Sequence, residues 1–199
     1  FIPALERAED ISFLDHQVIN QAIKMVADNP ILHKVAINLS AQAFSDERLL
    51  PLIQERLTQH NVDGSRIIFE LTESASLTNV SGTRRMISQL SAMGCQFSID
   101  DFGTGFSTFA YLKELPAHSV KIDGSFVKDM SNNAADKTLV TAIAKVASAL
   151  GKQSVAEFVE SQQIFGELQG MGVRYAQGYF ISEPLPVEQI SQFRFPPVH

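Results

Sequence analysis

Cys95-Gln96-Phe97-Ser98-Ile99-Asp100-Asp101-Phe102-Gly103-Thr104-Gly105 is a short apolar run that ends in two acids and then in glycine-rich chain. Its first part, Cys95–Asp100, reads as a β-strand. Five runs of the same kind surround it: Lys34–Leu39, Arg66–Leu71, Ser119–Asp123, Gln153–Glu157 and Tyr175–Tyr179. Their apolar residues are mostly contiguous, as in parallel strands covered on both faces.

Helical periodicity fills the intervals. Leu14, Val18, Ile19, Ala22, Ile23 and Val26 form one apolar stripe, and Leu49, Leu50, Ile53 and Leu57 a second. Met86, Ile87, Leu90 and Met93 form a third; Leu139, Val140, Ile143, Val146, Ala147 and Leu150 a fourth; Ile164, Phe165, Leu168 and Met171 a fifth. Spacings of three and four place each set on one helix face, where it serves the core. Gly94, Gly151 and Gly172 follow three of these stretches and read as C-terminal caps.

Strands alternating with helices predict an α/β fold with parallel strands. Six units fit either an open doubly wound sheet or a barrel short of two. The polar residues decide between them. Asn38, Glu70, Asp100, Lys121, Glu157 and Gln177 each stand at or near the C-terminal end of a different strand. In a barrel those ends meet at one mouth; in an open sheet the outer strands hold some of them too far apart to cooperate. The expected fold is therefore a TIM-like (β/α) barrel that lacks its first strand or strands in this chain.

Composition sets the bounds. The 199 residues suit one domain, and 45% hydrophobic with 19% charged residues argues against disorder. No apolar run is long enough for a transmembrane helix. The opening Phe1-Ile2-Pro3-Ala4-Leu5-Glu6 has no basic leader and no initiator Met, so the chain reads as cut from something longer. A net charge of −6 disfavours a non-specific grip on DNA or RNA, which needs cations against phosphates. An acidic protein still binds a phosphate ester when carboxylates hold divalent metals that face it. The single Cys95 forbids an internal disulfide and fits a reducing, cytoplasmic setting.

Glu70, Asp100, Asp101 and Glu157 are hard oxygen donors, and Asn38 offers a neutral carbonyl oxygen. Such a set suits Mg²⁺ or Mn²⁺, whereas Zn²⁺ prefers His and Cys. Any one of these acids alone is an ordinary strand-end residue; acids on several strands, with Lys121 among them, are not. Adjacent aspartates on an extended chain point to opposite sides, so both reach metals only if the chain bends. The glycines after them permit that bend. Two metals sharing one aspartate would clamp the attacking and leaving oxygens of a phosphoryl displacement. Asp-Phe-Gly also occurs in protein kinases, but no kinase Gly-rich loop or His-Arg-Asp accompanies it here.

With these residues in view, the sequence resembles the EAL domains that bind and hydrolyse cyclic di-GMP. The strings that carry the likeness run in the family's order: Ile37-Asn38-Leu39-Ser40, Phe69-Glu70-Leu71-Thr72-Glu73, Ile99-Asp100-Asp101-Phe102-Gly103-Thr104-Gly105-Phe106-Ser107, Tyr111-Leu112-Lys113-Glu114-Leu115-Pro116, Lys121-Ile122-Asp123, Val155-Ala156-Glu157-Phe158-Val159-Glu160 and Tyr175-Ala176-Gln177-Gly178-Tyr179-Phe180. Phe1-Ile2-Pro3 resembles a further family string.

The resemblance implies that Asn38, Glu70, Asp100 and Asp101 are ligands of Mg²⁺ or Mn²⁺. Lys121 would hold the attacking water and Glu157 would act as general base. Glu73 would brace the loop Phe102-Gly103-Thr104-Gly105, with Gln177 and Glu160 on the substrate side. The reaction implied is opening of one phosphodiester of cyclic di-GMP to linear pGpG in bacterial second-messenger signalling; the alternative is a receptor that binds the nucleotide without cleaving it. A module that binds no nucleotide is disfavoured by the intact ligand positions.

The likeness further implies one EAL domain over residues 1–199, a homodimer, GGDEF or sensor domains upstream, and a cytoplasmic domain whose parent can be anchored in the inner membrane. Two departures stand out. The chain contains no Glu-Ala-Leu, the family's early metal-binding triplet, so that strand is expected before Phe1. Phe158 stands where many members carry Gly.

Overall fold

The structure, a computed structural model, describes residues 11–105 and 109–194. The strings Phe1-Ile2-Pro3 and Phe106-Ser107 lie outside the described residues. In chain order the elements are α1 (Ile11–Asp28), β1 (Val35–Asn38), α2 (Leu49–Gln59), β2 (Ile67–Thr72), α3 (Glu73–Thr78), α4 (Val80–Ala92) and β3 (Gln96–Phe102). Then follow α5 (Phe109–Glu114), β4 (Ser119–Ile122), α6 (Gly124–Val127), α7 (Ala134–Ala149), β5 (Gln153–Ala156), α8 (Gln162–Gly170) and β6 (Tyr175–Ala176).

The six strands follow one another in the sheet in chain order, β1-β2-β3-β4-β5-β6. β1 runs parallel to β2, β4 to β5 and β5 to β6. A doubly wound sheet reverses its order at a switch point, whereas a barrel wall lays strands down in sequence. The α/β fold of the (β/α) barrel kind is the one expected from the strand-end residues.

Two compact units divide the chain, one within Phe1–Ile99 and Glu114–Ala117, the other within Asp100–Lys113 and His118–His199. In the first, Ile19, Ile23 and Val26 of α1, Ile53 of α2, Ile87 and Leu90 of α4 and Phe69 of β2 are buried. Each such side chain contributes about 1.5–3 kcal/mol through removal from water. Arg66, just before β2, donates through Nη2 to the carbonyls of Val26 at 2.9 Å and Leu32 at 2.7 Å. It thereby satisfies a carbonyl that the end of α1 leaves open. In the second unit, all four residues of β4 are buried, with Val140, Ile143 and Ala147 of α7 and Ile164 and Leu168 of α8.

The expected glycine caps are present at Gly94, Gly151 and Gly172, with φ of 86°, 69° and 80°. Cys95 N–H reaches Leu90 O at 3.0 Å and Gly94 N–H reaches Ser91 O at 2.9 Å, the paired bonds of a Schellman end.

The structure also departs from the periodic reading. Val18 and Leu139 lie in the expected stripes but are 38% and 45% exposed; each sits at the margin of its stripe, one residue and about 100° from a buried neighbour. The helices α3, α5 and α6 are too short to show a period. The sixth strand pairs only over Tyr175–Ala176. Beyond it a side chain at Gly178 would lie 2.3 Å from Val159 N and O, so backbone crosses backbone there and only glycine fits.

Candidate active site

β3 brings Asp100 to its end at 8% exposure, and the chain then turns at Asp101, whose φ is 54°. In an extended strand the next carboxylate would point to the opposite face. The sequence placed the necessary bend at the glycines, but the structure places it at Asp101 itself. Aspartate is one of the few side chains that visit the left-handed region readily. Thr104 secures the turn by donating its hydroxyl to Asp101 O at 3.0 Å.

Lys121, from the centre of β4, is 5% exposed. Its Nζ lies 2.9 Å from Asp100 Oδ1 and 2.9 Å from Glu157 Oε1. An unpaired ammonium buried this way costs several kcal/mol, so both acids are needed to hold it. Glu157 follows β5. Burial pushes its carboxyl above the ordinary glutamate range, the hydrogen bond from Lys121 opposes this, and the nearby Asp100 and Asp101 add to the rise.

Carboxylate oxygens of Asp100, Asp101 and Glu157 all lie within 4.8 Å of one another. Like charges this close repel unless a cation or proton stands between them. Three carboxylates against one ammonium leave two negative charges, and all the donors are hard oxygens. The cluster therefore fits a divalent cation of the Mg²⁺, Mn²⁺ or Ca²⁺ kind.

The remaining expected residues divide between the units. In the second, Gln177 follows β6, exposed, with its N–H on Ala156 O at 2.8 Å and its carbonyl accepting from Val159 N at 3.0 Å. Glu160 is exposed and Gly105 half-buried. Phe102 is buried and packs against Phe109, with ring centroids 6.3 Å apart. Gly103 adopts φ 108°, and a side chain there would meet Phe126 at 2.9 Å.

In the first unit, Asn38 and Glu70 are register partners on β1 and β2. Leu39 N–H donates to Glu70 O at 2.8 Å. The chain after Asn38 is fastened to α1 because Ser40 Oγ donates to Asp15 Oδ2 at 2.6 Å. Burial raises the carboxyl of Asp15 despite that bond. Glu73, 1% exposed, opens α3 behind the N-cap Thr72, where the helix terminus favours an anion.

Next to Glu157 the second unit holds a cavity of about 300 Å³ lined by Glu157, Phe158, Glu160, Gln177, Gly178 and Tyr179. Phe158 has φ 51° and is 57% exposed; Tyr179 is 66% exposed. Sequence reasoning gave neither aromatic a role. A phenylalanine where many family members carry glycine was the available signal, because glycine marks a backbone that a β-carbon dislikes.

Comparison with known proteins shows the family. The EAL domain profile matches residues 1–184. Cyclic di-GMP phosphodiesterase PdeB of Shewanella oneidensis is 38% identical over 190 residues, 94% of this chain and 22% of PdeB. Cyclic di-GMP phosphodiesterase PdeF of Escherichia coli is 35% identical over 190 residues, 94% of this chain and 25% of PdeF. The chain thus spans about a quarter of the length of these curated relatives. Among solved structures, the phosphodiesterase PaMucR in complex with c-di-GMP superimposes with a TM-score of 0.90 at 33% identity, over 96% of this chain and 78% of that one. With nearly its whole length matched by the profile, the chain belongs to the EAL domain family.

Proposed function

We propose that this domain hydrolyses one phosphodiester of cyclic di-GMP to linear pGpG with Mg²⁺ or Mn²⁺. One observation carries the reading: buried Lys121 joins Asp100 to Glu157 while Asp101 brings a third carboxylate into the same cluster. The names of PdeB and PdeF supply the substrate class.

Asp100, Asp101 and Glu157 would hold the metal, with Asn38 and Glu70 as further ligands. When bound, divalent metal acidifies a water and offsets the charge of the phosphate. Glu157, held beside Lys121 in the same cluster, takes the proton of the attacking water as general base. Lys121 orients the water and sets a fixed cation where negative charge develops, an interaction strongest in a dry site. Glu73 braces the loop that carries Phe102, Gly103, Thr104 and Gly105, and Gln177 and Glu160 face the substrate.

In this reading residues 1–199 act as one EAL domain, as a homodimer, with GGDEF or sensor domains as partners. No helix among the described residues is long and apolar enough to cross a membrane.

The test is hydrolysis of cyclic di-GMP by this chain and by a version extended upstream, with binding measured in parallel. Turnover supported by Mg²⁺ or Mn²⁺ and stopped by a chelator is expected, with pGpG as product. Tight binding without turnover in both forms would make the domain a receptor and overturn the hydrolase reading.

A further inference from the structure

Ser40 stands shortly after β1, at the N-cap of the short 3₁₀ helix Ala41–Ser45. A serine there ordinarily turns its hydroxyl onto the free backbone N–H groups of the helix it opens. This one makes no such bond. Its hydroxyl donates instead to Asp15 Oδ2 at 2.6 Å, and its backbone N–H donates to Asp15 Oδ1 at 3.3 Å. Both carboxylate oxygens of one α1 residue are thus engaged by one residue of the loop. Asp15 is 6% exposed. Replacing both partners of a buried hydrogen bond by apolar groups is often nearly neutral for stability, so the fold alone gives little reason for a buried acid here.

The next residue of α1 repeats the grip at the far end of the same segment. His16 Nε2 lies 2.8 Å from Asp46 Oδ2, and Asp46 is the C-cap of the 3₁₀ helix. Two neighbours on α1 therefore hold both ends of the chain from Ser40 to Asp46. What this clamp fixes is the exit of β1. Asn38, exposed, ends the strand in register with Glu70, and buried Leu39 gives its N–H to Glu70 O at 2.8 Å. The ladder stops there, and the next fixed point is Ser40 on Asp15.

We infer that Asp15 is a positioning residue for the reaction proposed above, on which the inference rests: through Ser40 it fixes the backbone that carries Asn38, a metal ligand in that reading. An amide oxygen brings no charge to a divalent cation, unlike a carboxylate, so its contribution depends on being held in place before the ion arrives. Partners that orient a ligand from behind typically change metal affinity about 10- to 100-fold when they are removed.

A Mn²⁺ titration of the full-length protein, read by electron paramagnetic resonance, tests this, with Asp100→Asn identifying the ions bound at the acid cluster. Asp15→Ala and Ser40→Ala should each weaken that part of the titration about 10- to 100-fold. The double variant should lose no more than the larger single loss, because both act through one bond. Ser40→Thr keeps the hydroxyl and should restore the affinity. Ile19→Val removes one methyl group from the buried face of the same helix; it should lower the Tm and leave Mn²⁺ affinity unchanged. If Asp15→Ala does not fold, Ser40→Ala decides. Unaltered Mn²⁺ affinity in Ser40→Ala, or an equal loss in Ile19→Val, overturns the inference alone. An unaltered protein that titrates as Asp100→Asn does and leaves cyclic di-GMP uncleaved overturns the functional reading, and the inference with it.

Discussion

Asp100 and Glu157 reach Lys121 Nζ at 2.9 Å from the ends of β3 and β5, and each is followed at once by a non-glycine residue with a left-handed backbone. At β3 that residue is Asp101, φ 54°; at β5 it is Phe158, φ 51°. Aspartate takes the conformation at low cost and turns a second carboxylate into the acid cluster. Phenylalanine takes it at higher cost and gains an exposed ring beside the same acid. The same turn thus supplies charge at one strand end and an exposed aromatic ring at the other.

The largest effect is expected at the point the two ends share. Lys121→Ala leaves Asp100 and Glu157 without their common cation. Turnover of cyclic di-GMP should fall about 10²–10³-fold, the usual loss when one transition-state donor is removed, while equilibrium binding is retained. Single-turnover kinetics beside a binding titration measure both. Full activity in this variant would break the idea that the two strand ends serve one centre.

Asp100→Asn should weaken metal dependence and turnover together. Divalent metal at 100 times its Kd stabilises a protein that binds it by about 2.7 kcal/mol. The unaltered chain should show that rise in Tm with Mg²⁺ or Mn²⁺, and Asp100→Asn should lose most of it. A metal titration identical in the two proteins would count against Asp100 as a ligand.

The strained residues themselves give a smaller, more pointed contrast. A β-carbon in the left-handed region costs about 1–2 kcal/mol for an ordinary residue, and glycine gives back about 0.4–1 kcal/mol through the entropy of the unfolded chain. Phe158→Gly should therefore gain up to about 1.5 kcal/mol, or about 3–6 °C in Tm for a chain of this size, with or without metal. Asp101→Asn keeps the backbone preference and removes one of three crowded charges. It should stabilise the metal-free protein and lose the stabilisation that metal confers. Thermal melts with Mg²⁺ and with chelator separate the two; a metal-dependent gain in Phe158→Gly would show that its ring, too, acts through the acid cluster.

Much of this arrangement was readable in the sequence, and the reason is chemical. The strand run Arg66–Leu71 is shifted by one residue from the observed Ile67–Thr72, and Gln153–Glu157 exceeds the observed Gln153–Ala156 by one. Buried parallel strands leave contiguous apolar runs, and the acids that end them stand out against that background. The glycine caps were equally plain, because a positive φ after a helix favours glycine. What stayed hidden was conformation that no residue type announces. Asp101 and Phe158 adopt positive φ although neither is glycine, and the expected bend was assigned to the glycines that follow Asp101. The cavity lined by Phe158 and Tyr179 depends on where β5 and β6 end, and β6 is shorter than its apolar run.

Among the described residues the third left-handed non-glycine position, Asn61 at φ 50°, tests whether strain at Phe158 is unusual. It stands just past α2, where Asn61 N–H reaches Thr58 O at 3.2 Å and Val62 N–H reaches Leu57 O at 2.9 Å. This is a Schellman end with asparagine in glycine's place, a substitution that helices accept. The fold alone accounts for Asn61, as it does not for Phe158. Asn61→Gly should shift stability by no more than about 0.5 kcal/mol, since asparagine is strained little there and glycine adds unfolded-chain entropy. Nucleotide binding should be untouched. A gain in Asn61→Gly equal to that in Phe158→Gly would mean that phenylalanine at β5 bears no more strain than an ordinary helix end.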